Sequence, residues 1–206
     1  LGRFCLLCGS SISSCSMSPG PRSAVLNQNF RPPMLVEIYS ETIARDTVKD
    51  RKALQALAKH AEMGSRAQLV YIYSLTDSSH EIPYPRRGGR VVYIGETQRE
   101  TGAGKRFGHH VSSSLTEGLS TLINHTLSVY YHSGVSLRLQ VFRVTDGRTT
   151  KSAERVLLNC HLLHYGAYPM GQGTSGGDNT PRQIAQRYEQ DRELWDECSL
   201  LLMNTP

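Results

Sequence analysis

The sequence predicts a mixed α/β (α+β) fold: a small central antiparallel sheet flanked by helices, with helical additions at its N- and C-terminal ends. Three observations carry this expectation. Residues 68–75 (QLVYIYSL) and 91–95 (VVYIG) are short β-branched and aromatic runs. A polar, Pro- and Gly-rich stretch separates them, so they read as two strands of a hairpin with a long loop. Residues 135–144 (VSLRLQVFRV) alternate apolar and polar side chains, the pattern of a half-buried strand. Residues 149–164 then place Ala153, Val156, Leu157 and Cys160 at helical spacing.

The other elements follow in order. Residues 34–67 read as helical, because Leu54, Leu57 and Ala61 recur at spacings of three and four among charged residues, and Gly64 is a reasonable stop. Residues 96–104 are loop-like, and a helix is expected from near Lys105 through the 110s. Residues 119–132 suit helix or strand. Asp146-Gly147 marks a turn, and 166–179 is a glycine-rich loop. A single final helix is expected over 180–202, with Pro181 at its first position. No internal repeat is visible.

A chain of 206 residues with 38% hydrophobic and 20% charged residues can build one core without disulfides or structural metal. Residues 34–206 are assigned to one domain. Residues 1–33 are set apart: 10–33 are rich in Ser, Pro, Asn and Arg and are expected to be disordered. The Leu-Gly-Arg opening suggests a processed or artificial start, with Met17 and Met34 as candidate starts. No apolar run is long enough to span a bilayer, which argues against an integral membrane protein. The formal charge of +5 and the isoelectric point near 9.0 favour polyanionic partners. Of the five cysteines, Cys5 and Cys8 form C-x-x-C, but nothing after Cys15 completes a zinc site. The odd count and the helical Cys160 and Cys198 suit a reducing, cytoplasmic setting.

The chemistry-bearing residues fall in a distinctive order. Tyr71 lies in the first strand as Leu-Val-Tyr, and Tyr93 opens Tyr-Ile-Gly in the second. Arg106 and His110 follow one helical turn apart, and Glu154 lies on the helix after the third strand. Each element alone is common; the order is what is specific. This set resembles the GIY-YIG nuclease superfamily, whose core is a β-β-α-β-α module, over roughly residues 68–180. The first motif lacks its glycine, and Tyr73 shares a strand face with Tyr71. The resemblance favours Tyr71. The long inter-strand loop and the extended stretch before Arg106 look like insertions.

The resemblance implies a metal-dependent endonuclease hydrolysing one phosphodiester. Glu154 would bind Mg²⁺ or Mn²⁺, one ion per active site. An arbitrary helix glutamate more often pairs with a neighbour such as Arg155 or Lys151. Arg106 offers a planar fork matched to phosphate oxygens. His110 would accept a proton or orient a tyrosine hydroxyl, with His109 as the spare. Tyr71 or Tyr93 would deprotonate the attacking water if a cation lowered its pKa, the other tyrosine positioning it. Gly95 is expected to allow a close approach at the strand end. The family's asparagine maps best onto Asn179, with Gln172 as a substitute.

For contacts to double-stranded DNA, Arg86, Arg87, Arg90, Arg99 and Lys105 are the candidates, surface solvation being the bland alternative. After Glu154 no zinc spacing or repeat marks a separate DNA-binding domain, which resembles the restriction-endonuclease branch. One active site per subunit then implies a homodimer on a palindromic target. Rival readings are a structure-specific repair or phage nuclease, an inactive DNA-binding module on the same scaffold, and an RNA-binding protein. The 7% aromatic content gives the last little support.

Overall fold

The computed structural model describes residues 32–44, 49–112, 115, 121–173, 177–178 and 180–205. Cys5, Cys8, Cys15, Asn179 and most of the 1–33 segment lie outside these residues, so the expectations attached to them do too.

Four strands form one antiparallel sheet in the order β1-β6-β2-β5, with β1 at Leu35–Ile43, β2 at Leu69–Leu75, β5 at Val91–Thr97 and β6 at Leu137–Val144. The central strand β2 is buried at every position, because both of its faces are covered. Its apolar run is what such a strand requires. Tyr71 pairs with Gly95 and Tyr73 with Tyr93 across the β2–β5 ladder. The loop between these strands folds back on itself as a two-residue hairpin, β3 at Ile82–Pro83 and β4 at Gly88–Gly89.

The sheet separates two cores. On one face Tyr71, Tyr73 and Leu139 pack against Leu54, Phe107 and Leu127. These come from α1 (Lys49–Ala56), from a 3-10 segment at Ala103–His109, and from α2 (Leu122–His132). On the other face Val70, Ile72 and Phe142 pack against α3 (Thr150–Tyr165) and α5 (Arg192–Asn204), with Val156, Leu157, Trp195 and Leu202 in the contact. Helix α4 (Pro181–Gln190) buries no residue fully.

The α+β class and the antiparallel sheet are as the sequence implies, and three elements differ. Residues 34–67 are not one helix: β1 occupies their start, α1 the middle, and two 3-10 turns at Leu57–Lys59 and Ala61–Met63 the end. The helical spacing belongs only to Leu54 and Leu57, which are buried, whereas Ala61 is exposed. Upstream, Val36, Ile38, Tyr39, Thr42 and Ile43 are strand formers, and β6 pairs with the segment from Leu35 to Ile43 apart from a bulge at Ile38. Second, residues 103–109 wind as a 3-10 rather than an α-helix. Glycines at 104 and 108 weaken helical propensity there, and Gly104 sits directly against the Leu57 carbonyl. Third, the C-terminal helix is broken at Asp191, whose backbone leaves the helical region (φ −143, ψ 43). The Asp191 carboxylate takes two bonds from Arg148 Nε, at 3.1 and 3.2 Å, which fixes the break.

Helix boundaries elsewhere follow local chemistry. Thr149 caps α3 by accepting from Ser152 N–H, and Gly166 ends it in the left-handed region (φ 81) that glycine tolerates. Thr180 and Gln183 form a reciprocal capping box around Pro181 at the start of α4. Among the described residues no helix is long and apolar enough to cross a membrane.

Candidate active site at the sheet edge

β5 is an edge strand, and from Tyr93 onward, past the irregularity at Val92, its side chains alternate between the two cores. Tyr93 and Gly95 face the tyrosine side, and Glu96 faces α3. The edge is therefore where groups from both layers meet.

On the tyrosine side, Arg106 Nε donates to the Tyr71 hydroxyl at 2.7 Å. The charge of the same guanidinium also acts on Tyr93, whose ring lies 6.0 Å from that of Tyr71. Phe107 packs edge-on against Tyr71 at 5.0 Å between ring centres, which anchors the segment carrying Arg106. Gly95 makes the arrangement possible. A Cβ there would lie 2.6 Å from both Cζ and Oη of Tyr71 and 2.6 Å from Cε1 of Tyr93. The close approach at this glycine is made by tyrosine rings rather than by the substrate or helix expected there.

His110 sits deeper, with Nδ1 2.8 Å from the Tyr73 hydroxyl. The two candidate tyrosines of the first strand therefore have different partners: Tyr71 meets Arg106, and Tyr73 meets His110. Arg106 and His110 reach neighbouring hydroxyls without the shared α-helical face expected of them, since His110 terminates a 3-10 segment. His109 is exposed, and its carbonyl accepts from Asn124 Nδ2 at 2.7 Å.

On the α3 side, Glu154 is half-buried and its carboxyl is pushed up to about 7. Burial is the first cause and the nearby charge of Glu96 the second, against the opposing pull of Arg106, Arg155 and Lys151. Glu96 was not singled out by the sequence reading, although it directly follows Tyr-Ile-Gly. Its carboxylate is fixed by the buried Thr150 hydroxyl, which donates to Oε2 at 2.6 Å. Among the described residues no group of three or more His, Cys, Asp or Glu side chains forms a metal cluster.

Arg106 pulls the Tyr71 and Tyr93 phenols downward, but burial outweighs it and both are raised. Tyr71 and Tyr73 are sealed from solvent, whereas Tyr93 keeps 8% exposure. His110 is also buried, and burial with Arg106 nearby drives it down to about 3.

The basic residues divide. Lys105 and Arg99 are exposed on the segments flanking Arg106, and Arg99 is close enough to act electrostatically on His110. Arg86 and Arg87 sit instead at the far end of α3. Arg86 N–H donates to the Tyr165 carbonyl at 3.0 Å, its guanidinium binds the Leu163 carbonyl, and Arg87 stacks on the Tyr165 ring at 4.6 Å. Helical rise places Tyr165 about 16 Å along α3 from Glu154. Arg90 lies at the opening of β5, where its carbonyl accepts from Leu75 N–H at 2.9 Å.

The glycine-rich loop passes beside the site. Gly171 N–H donates to the Val92 carbonyl of the edge strand at 2.8 Å, and the buried Gln172 Oε1 has no partner. Further along, Asn159 and Asp178 clasp each other through two bonds of 2.9 Å. No family model, curated protein or solved structure matches this chain.

Proposed function

We propose that this chain is a metal-dependent DNA endonuclease of the GIY-YIG type, hydrolysing one phosphodiester at the β5 edge of the sheet. The observation that carries the reading is the convergence of Tyr71 and Tyr93 on Arg106, which donates to the Tyr71 hydroxyl, beside Glu154. The order of elements supports it as well. β2, β5, a helical segment, β6 and α3 follow the β-β-α-β-α sequence of that module, with the glutamate on the last helix.

Arg106 is held with Nε on Tyr71, leaving a fork suited to a phosphate and to the charge that grows on it. Tyr93 presents a neutral hydroxyl at the mouth of the site, acted on by both Arg106 and Glu154. Glu154 and Glu96 suit a hard divalent cation, because Mg²⁺ is commonly held by one or two carboxylates plus substrate phosphate. The mutual repulsion of the two carboxylates is what such an ion relieves. Bound there, it would counter phosphate charge and make a water more acidic. Glu154 is the ligand in this reading, with Glu96 beside it. Lys105 and Arg99 extend the positive surface along which duplex DNA would lie.

Within this reading the chain is a sequence-specific restriction enzyme working as a homodimer. The test is cleavage of supercoiled and linear duplex DNA with Mg²⁺, comparing wild type with Glu154→Ala. Discrete fragments lost in the variant are the expected result. Nicking or a smear, also lost in the variant, would move the assignment to a structure-specific repair or phage nuclease. DNA binding without cleavage in both proteins would leave only a binding module on this scaffold.

A further inference from the structure

The Tyr73–His110 pair has no part in the reading above, yet it determines which proton the histidine carries. Tyr73 is fully buried on β2, and its hydroxyl has one hydrogen-bond partner among the described residues, Nδ1 of His110 at 2.8 Å. The imidazole is fixed in orientation by aromatic rings. It lies 5.5 Å from Tyr71, tilted by 33°, and edge-on to Phe107 at 5.6 Å.

Two proton arrangements satisfy that short contact. If Nδ1–H donated to the phenol oxygen, the phenol proton would be left without an acceptor in a sealed site, which is costly. If the phenol donates to Nδ1, the sealed phenol proton has its acceptor and only the ring proton remains to be placed. The second arrangement puts the ring proton on Nε2. That atom is not among the sealed unpaired atoms, and the ring keeps 5% exposure. The charged groups acting on the imidazole are Arg106, His109 and Arg99, each opposing a second proton.

We propose that His110 acts through Nε2–H as a neutral hydrogen-bond donor to the phosphate bound by Arg106, and that Tyr73 is the positioning residue that fixes this tautomer. The phosphate in this statement rests on the nuclease reading; the tautomer does not. Tyr73 and Tyr71 are then separate parts, one setting the histidine and the other holding the arginine. The histidine is not the group that takes the proton of the attacking water.

Two experiments test this separately. The first is ¹⁵N-histidine NMR of the full chain, with the His110 resonances assigned by their loss in His110→Gln. The expected result is a neutral Nε2–H ring from about pH 5.5 to about pH 8, replaced by mixed tautomers in Tyr73→Phe. An Nδ1–H ring or an imidazolium in the wild type at neutral pH would overturn the proposal, whether or not DNA is cut. The second compares turnover of His110→Gln and His110→Ala on duplex DNA with Mg²⁺. The glutamine amide stands where Nε2 does, so it should recover most of an approximately 100-fold loss seen with alanine. Equal inactivity of the two would overturn the donor role. If the wild type cuts no DNA while the NMR shows Nε2–H, the nuclease reading fails and the tautomer assignment stands.

Discussion

Arg106 Nε donates to the Tyr71 hydroxyl at 2.7 Å and its charge also acts on Tyr93, so a single guanidinium fork serves tyrosines on two neighbouring strands. Lysine cannot reproduce this fork. Arg106→Lys is therefore expected to lower DNA cleavage by about 100-fold or more, the usual loss when a transition-state donor is removed. Stability should fall by about 1–3 kcal/mol, because the buried Tyr71 hydroxyl loses its partner. Single-turnover cleavage and urea unfolding read the two effects separately.

Gly95→Ala puts a methyl group 2.6 Å from the Tyr71 hydroxyl and the Tyr93 ring. Neither ring can retreat easily from a packed core, so about 1–3 kcal/mol of stability should be lost. Cleavage should fall with it, since both rings must shift. An unfolding midpoint equal to wild type would mean that the tyrosines are less constrained than described.

Glu154 is held up at about 7 by burial and by Glu96. A folded-state pKa above the ordinary 4.5 means the carboxylate destabilises the fold once pH exceeds 4.5, fully so above 7. Glu154→Gln should therefore raise metal-free stability at pH 8, on the order of 1 kcal/mol after allowing for partial solvent screening. The same variant should lose cleavage and any Mg²⁺-dependent rise in Tm. A stabilised but inactive protein would mark Glu154 as a residue kept for chemistry.

Two histidines give the acid response its sign. His110 is depressed to about 3 and His161 to about 4, in both cases chiefly by burial. Below their ordinary value of 6.5 the unfolded chain takes up protons that the folded chain refuses, so stability falls as pH drops from 6.5 towards 4. Each histidine contributes a slope of up to about 1.4 kcal/mol per pH unit. Glu154 acts oppositely between 4.5 and 7, and two histidines outweigh one carboxylate. Urea midpoints measured from neutral pH down to about pH 4.5 should decline, and His161→Gln should make that decline shallower.

Arg86 and Lys105 should separate stability from DNA binding. The Arg86 guanidinium binds a carbonyl in the last turn of α3, so Arg86→Ala should cost about 0.5–1.5 kcal/mol in unfolding and leave DNA affinity unchanged. Lys105 is exposed beside Arg106, and Lys105→Ala should weaken binding and lower the salt slope by about 1.

Strands β2, β5 and β6, the third helix and the order of the site residues were legible because each has a strong local signal. β2 is a continuous apolar run, β6 alternates in sequence although its polar positions are partly or fully covered too, and α3 has both an apolar face and a capping threonine. β1 was not, since its pairing with β6 joins Leu35 to Val144 and depends on a partner a hundred residues away. The break at Asp191 depends likewise on Arg148. Glu96 was missed because a lone carboxylate on a strand has no pattern; only the packing of α3 beside β5 gives it a neighbour. Arg86 and Arg87 had the composition of DNA contacts, and it is the fold that turns them towards a helix end.

The site's position on β5 limits how the sheet can grow. An edge strand is a template for further pairing, and here Gly171 already takes one of its carbonyls. A strand added beside β5 would cover the opening between Tyr93 and Glu96 and shut substrate out. On the proposed reading, an assembly that continues the sheet would start from β1, on the opposite border, and pairing through β5 should abolish cleavage.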